Sequence, residues 1–221
     1  RPLVQLVGKR KLVHCDAVQA FGKVPVNFGL LGADMLSVSA HKLGGPQGVG
    51  ALVIHDGLAV SPLIRGGGQE LRRRAGTENV AAIAGFAAAV RAAGGETESD
   101  LNALRHQVES ALERGPGEVT VFSSRVDRLP NTLCFALPGL SAEIALIAFD
   151  LDGVAVSSGS ACSSGKVAAS HVLGAMGVDE TAVRSAIRVS LGWNTTAADV
   201  SRFIESWQRI AGRHLAQTAA A

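Results

Sequence analysis

Ser39-Ala40-His41-Lys42-Leu43-Gly44-Gly45-Pro46-Gln47-Gly48-Val49-Gly50 sets a lysine directly behind a histidine and ahead of a turn holding four glycines and a proline. Met35-Leu36-Ser37-Val38 leads into this stretch, and Val49-Gly50-Ala51-Leu52-Val53-Ile54 leads out of it. Both flanks have the apolar, β-branched texture of strands, and Gly and Pro mark the turn between them. On the local pattern alone, the simpler reading is a hairpin turn whose lysine faces water. The other reading is an amine held in a pocket. Desolvation penalises a lysine's charged form, and such a lysine is kept where imine chemistry needs it. The residues on either side decide between the two.

Upstream, Lys11-Leu12-Val13-His14-Cys15-Asp16 reads as a short buried strand ending in an acid, and Ala17–Gly22 as a helical turn stopped by glycine. Gly32-Ala33-Asp34 breaks the chain before the strand Met35–Ser39, and Val49–Ile54 is a third strand. Strands joined by short turns point to an α/β sheet with ligand groups at strand ends. Downstream, Arg65–Glu70 is a glycine-rich loop, and Thr77 reads as the N-cap of an apolar helix running to Arg91. Gly94-Gly95 interrupts, and a second helix carries Leu101, Leu104, Val108, Ala111 and Leu112 on one face. We place a domain boundary here, giving residues 1–95 and 96–221. The second part is α+β in texture. Val119–Phe122, Thr132–Leu137, Val154–Val156 and Ile187–Leu191 read as strands, Ser141–Leu151 as a helix with a Ser cap and Glu143, and Thr196–Leu215 as a closing helix before a frayed end.

Composition narrows the function classes. The 221 residues are 47% hydrophobic and 18% charged, which is globular rather than disordered. A net charge of +2 and few aromatics argue against nucleic acid, with Arg72-Arg73-Arg74 a local exception read first as solvated surface and second as an anion site. The apolar run Val80–Val90 is too short to span a bilayer. Cys15, Cys134 and Cys162 are widely spaced without a C-x-x-C, so no structural metal is expected, and the count fits a reducing compartment with room for one reactive thiol. The chain begins at Arg1 in the run-up to a strand, which reads as a piece of a longer protein.

Four elements suit one cofactor. Asp16 at a strand end suits a protonated ring nitrogen, and Lys42 suits an imine with an aldehyde. Ser39, His41 and Thr77 suit a phosphate, and Cys162 in a Ser/Gly loop suits a nucleophile. Together they describe pyridoxal phosphate binding. Each has a plainer reading. Asp16 caps the turn at Ala17, Gln19 is an exposed helix residue, and Ser158–Ser164 is a simple loop. Cys15 and Cys134 read as small core hydrophobes, and His14 as structural. Arg188, between Ile187 and Val189, calls for an anionic partner, either a substrate carboxylate or an internal acid.

Five segments then converge. His14-Cys15-Asp16-Ala17-Val18-Gln19, Ser39-Ala40-His41-Lys42 with Gly45-Pro46-Gln47-Gly48, Arg74-Ala75-Gly76-Thr77-Glu78-Asn79, Ser158-Gly159-Ser160-Ala161-Cys162 and Ile187-Arg188-Val189-Ser190-Leu191-Gly192 closely resemble the cysteine desulfurases of the NifS/IscS type. These are fold-type I, class V aminotransferase-like enzymes. The resemblance implies that residues 1–95 are the remainder of a large, mainly parallel-sheet domain. It implies that residues 96–221 are a small α+β domain carrying the cysteine loop.

The resemblance also implies roles. Lys42 holds pyridoxal phosphate and moves protons, with His41 beside it. Asp16 faces the ring nitrogen, Gln19 the ring hydroxyl, and Ser39 and His41 the phosphate. Thr77 reaches the phosphate of a partner subunit, which implies a homodimer. Arg188 clamps the carboxylate of L-cysteine. Cys162 takes its sulfur as a persulfide, releasing L-alanine, on a long loop that delivers sulfur to an acceptor such as an iron–sulfur scaffold protein. A cytoplasmic location goes with this. Cys15 and Ala75 depart from the family's usual apolar residue and serine. Family members also carry about a further domain of chain ahead of Arg1, with remaining cofactor contacts. Two alternatives stay open: an inert fragment that binds a partner, and another class V lyase or aminotransferase.

Overall fold

Along Met35–Ser39 the side chains alternate, with Leu36 and Val38 3% and 7% exposed and the residues between them half-buried. This period of two gives the strand an apolar and a polar face. In the computed structural model, which describes residues 11–93, 97–159 and 169–220, this strand (β2) is the middle of a three-stranded sheet. The chain divides into two compact units, Arg1–Thr97 and Glu98–Ala221.

In the first unit, β1 (His14–Asp16) runs parallel to β2, with His14 opposite Met35 and Asp16 opposite Ser37. β3 (Gly50–Ile54) returns antiparallel, with Ser39 opposite Gly50, so these three strands pair in both senses. β1 is shorter than the sequence implies. The Asp34 carboxylate accepts the Val13 N–H at 2.7 Å, and the Val13 carbonyl accepts from Asp34 and Met35, diverting that residue from the ladder. Residues Ala17–Gly22 form consecutive turns rather than a helix, with the amides of Ala20 and Phe21 both donating to the Ala17 carbonyl. A short helix α1 (Phe28–Leu31) follows, capped by Asn27.

The helix α2 (Val80–Ala93) covers the apolar face of the sheet through Phe86, which clusters with Ala17, Leu36, Val38 and Ala40. Its glycine is used for close approach: a Cβ on Gly85 would lie 2.6 Å from Pro46 Cγ, so the glycine turn of the opening stretch rests directly on the helix. The cap differs from expectation. Asn79, not Thr77, accepts the Ala82 amide at 3.1 Å, and Thr77 lies in the extended segment ahead of it.

The second unit carries a four-stranded sheet in the order β4-β5-β7-β6, from Thr120–Phe122, Thr132–Ala136, Ala186–Ser190 and Ser157–Ser158 (β6), antiparallel at every pairing. The expected strand at Val154–Val156 is displaced to β6, because the Val154 amide turns back to the Phe149 carbonyl at 2.8 Å. Its valines pack on the core without pairing, so their apolar texture reports burial. Around the sheet lie α3 (Thr97–Arg114), α4 (Ala142–Leu151) and α7 (Ala197–Ala219). Ser141 precedes α4 without making a side-chain cap bond, whereas Thr196 and Asp199 form a full capping box on α7. That helix runs to Ala219, past the expected stop at Leu215. Two short helices not foreseen in the sequence, α5 (His171–Ala175) and α6 (Glu180–Arg184), are capped by Ser170 and Asp179.

The core of this unit is aromatic. Phe149 stacks on Phe203 at 5.2 Å between centroids, and Trp207 meets Phe135 edge-on at 4.9 Å. Burying each such phenylalanine contributes roughly 2–3 kcal/mol, and the ring pairing adds about 1 kcal/mol. Beside it a buried ion cluster joins Glu109 to Arg105 and Arg128.

Candidate active site

The polar face of the first unit's sheet gathers the expected residues. With Asp16 opposite Ser37, the side chains of His14, Asp16, Ser37 and Ser39 share one face, and a 2.7 Å hydrogen bond between His14 Nε2 and Ser37 Oγ confirms it. Asp16 and Ser39 end parallel strands, so the residues that follow each of them emerge at the same sheet edge. In open α/β sheets that edge is where ligands bind. The turn after β1 supplies Gln19, and the short 3₁₀ turn Ala40–Leu43 after β2 supplies His41 and Lys42.

The hydrogen bonds show what each group has left to offer. One Asp16 oxygen accepts the Val18 amide at 3.0 Å, while the other has no protein partner among the described residues. A carboxylate held on one side and open on the other suits a cationic ring nitrogen. Asp16 thus caps the turn and keeps one oxygen open for a ligand. Ser39 Oγ and His41 Nδ1 share a 2.8 Å hydrogen bond, which presents hydroxyl and imidazole as one polar pair. Lys42 is exposed, as the simpler local reading has it, and pairs with no carboxylate among the described residues. Its amine is therefore accessible for condensation with an aldehyde. The donor set fits pyridoxal phosphate: an amine for the aldehyde, an acid for the ring nitrogen, and an amide, hydroxyl and imidazole for the oxygens.

Lys23 is the residue that the sequence reading passes over. Its ammonium donates to the Gln19 carbonyl at 3.0 Å and to Gln19 Oε1 at 3.1 Å. Burial, and then the charge of Lys42, pull it below the ordinary lysine pKa. The spacing of four residues on a turn was the available signal. Thr77 is exposed and shares no hydrogen bond with this strand-end group among the described residues.

In the second unit, Arg188 sits on β7 opposite Cys134 and Ser157. Its Nε is buried and unpartnered among the described residues, the mark of a guanidinium that awaits an anion. Cys134 is poorly suited to act as a thiolate. Burial pushes its thiol up to about 11, outweighing the opposing charge of Arg188. Cys162 lies outside the described residues. A cleft of about 300 Å³ is lined by Ser141, Glu143, Ser158, Gly159 and Arg184, and Arg188 is not among its lining residues. No helix of the described residues is long and apolar enough to cross a membrane, and they hold no cluster fit for a metal ion.

The aminotransferase class-V family model matches residues 3–203, and the chain belongs to that family. A cysteine desulfurase of Cereibacter sphaeroides is 45% identical over 194 residues, covering 88% of this chain and 50% of the relative. A cysteine desulfurase IscS of Dictyoglomus turgidum is 44% identical over 200 residues, covering 89% and 51%. Among solved structures, a NifS-like protein from Rickettsia africae matches with a TM-score of 0.78 at 41% identity, over 89% of this chain and 52% of that one. A second NifS-like protein gives a TM-score of 0.84 at 35% identity, over 96% and 55%. The fold is thus fold-type I of the pyridoxal phosphate enzymes, and the chain spans about half the length of the curated relatives it matches.

Proposed function

We propose that this chain carries the lysine and cysteine of a pyridoxal-phosphate-dependent cysteine desulfurase that turns L-cysteine into L-alanine and keeps the sulfur as a persulfide on Cys162. The observation that supports it best is the convergence of Asp16, Gln19, Ser39, His41 and Lys42 at the carboxyl ends of two parallel strands. When bound, pyridoxal phosphate withdraws electrons from the substrate Cα and so acidifies its proton. The protein's part is to hold and to move protons. Asp16 keeps the ring nitrogen cationic through its open oxygen, and Lys42 anchors the cofactor and carries a proton to and from Cα. Ser39 and His41 orient the phosphate, while Gln19 donates to the ring oxygen.

Arg188 fixes the substrate carboxylate, for which its orphaned Nε is prepared. The Cys162 thiolate attacks the substrate sulfur. The S–S bond forms as the Cβ–S bond breaks, the bonding pair stays on carbon, and protonation there gives alanine. Sulfur then passes to an acceptor protein such as an iron–sulfur scaffold. Thr77, which is exposed and shares no hydrogen bond with the strand-end group among the described residues, fits the reading in which it serves a partner subunit's phosphate in a cytoplasmic homodimer.

Incubation with pyridoxal phosphate and borohydride, followed by peptide mapping, tests the lysine. We expect a reduced adduct on Lys42 that Lys42→Ala abolishes. Alanine release from cysteine, with a persulfide lost in Cys162→Ala, tests the rest. A persulfide surviving in Cys162→Ala would remove that residue from its role.

A further inference from the structure

We propose that Lys23 is a positioning residue of the cofactor pocket: by holding the carbonyl oxygen of the Gln19 amide, it turns the amide NH₂ toward the cofactor's ring oxygen. This deepens the pyridoxal phosphate reading and rests on it. The argument starts from the chemistry of an amide, which has one donor end and one acceptor end and can be seated either way round. An ammonium only donates. Lys23 Nζ lies 3.1 Å from Gln19 Oε1 and 3.0 Å from the Gln19 backbone carbonyl, so it fixes both the side chain's acceptor end and the backbone from which the side chain springs. Nε2 is left as the free, donating end. Donation is what a ring oxygen carrying negative charge requires, and an amide flipped the other way would oppose oxygen to oxygen.

The fold brings Lys23 to this place for a local reason. Gly22 has φ +78°, and a Cβ there would lie 2.4 Å from Leu43 Cδ2. The residue before Lys23 therefore abuts the residue after Lys42, and the turn after β1 is locked against the lysine-bearing turn after β2. The depressed pKa of Lys23, caused first by burial and then by Lys42, agrees with this closeness. The charged and titratable groups on the surrounding elements are His14, Cys15 and Asp16 on β1, His41 and Lys42 on the turn, and Arg91 on α2. Neither carboxylates nor other acceptors among the described residues compete with Gln19 for Lys23.

The test uses the protein reconstituted with pyridoxal phosphate. It reads the cofactor's dissociation constant and the position of its visible absorbance band in Lys23→Met, Lys23→Arg, Gln19→Ala and the Lys23→Met/Gln19→Ala double variant. Loss of one oriented hydrogen bond corresponds to roughly five-fold weaker retention. We expect that loss and a moved band in Lys23→Met, recovery of both in Lys23→Arg, which keeps donors for both oxygens, and little further loss when Lys23→Met is added to Gln19→Ala. An unchanged constant and band in Lys23→Met overturn the inference, as does a full further loss in the double variant. Failure of the unsubstituted protein to take up the cofactor or to form the borohydride adduct on Lys42 would instead overturn the site reading on which the inference rests.

Discussion

The two units of this chain place their apolar residues differently. In the second, Trp207, Phe135 and Phe149 are wholly buried in a cluster that draws on every strand but the shortest ones and on three long helices. In the first, the buried cluster holds Ala17, Leu36, Val38, Ala40 and Phe86, and β3 leaves Leu52 and Val53 47% and 38% exposed. The thinner core is the one that carries the cofactor-type residues. Its side chains alternate so that one sheet face packs and the other is polar. The second unit supplies a stiff frame for single groups such as Arg188.

That contrast can be broken experimentally. Trp207→Ala should destabilise the second unit by about 4 kcal/mol, since it empties a wholly enclosed site, read as a lowered urea midpoint. Leu36→Ala should cost less, about 2 kcal/mol, because fewer groups surround the space it leaves. Equal losses would mean that the first unit's core is as consequential as the second's, and the contrast would fall.

A smaller effect of opposite sign is expected at Arg72. It is the third of three consecutive non-glycine residues in the left-handed region, after Glu70 and Leu71, with φ 49°, 54° and 65°. Arg72→Gly should relieve about 1 kcal/mol of backbone strain and raise the melting temperature, unless loss of a long side chain outweighs it. A fall in melting temperature would show that the arginine's own contacts dominate.

The smallest effect concerns acid. Asp152 accepts from Ser206 Oγ at 2.6 Å and Arg209 Nη2 at 2.9 Å, and these bonds hold its pKa below the ordinary 3.8. A carboxyl depressed in the folded state contributes stability that is present above its unfolded pKa and lost as pH falls through the folded one. Asp179 and Asp199, held down by their cap bonds, act in the same sense. Asp152→Asn should lower second-unit stability slightly at neutral pH, where the depressed carboxyl contributes, and change little in strong acid, so that the acid limb flattens, measured as the urea midpoint against pH.

Much of this was legible in the sequence because the chemistry-bearing groups are local. Asp16 with Gln19, and Ser39 with His41 and Lys42, each occupy a few residues at a strand end, where the apolar run before them betrays the strand. What escaped was decided by tertiary contacts. Val154 and Val156 look like strand residues because they pack, half-buried, on the core, yet their backbone turns away from the ladder. Thr77 and Asn79 are both capping types, and only the starting point of α2 chooses between them. Lys23 was passed over, because beyond its four-residue spacing from Gln19 its burial and its closeness to Lys42 are set by the turn after the next strand.

The pairing of Ser39 with Gly50 also favours an order of events as the chain folds. Residues 40–49 form a loop closed by adjacent strands, and a loop of that size meets its own ends in roughly 10–100 ns. Asp16 joins only when residues 17–34 have also been drawn in, a longer closure with a larger entropic cost. The lysine's turn therefore nucleates on its own hairpin, and the acid and its glutamine dock onto it afterwards. Substitutions in 17–34 should slow completion of the pocket while leaving formation of the lysine turn untouched.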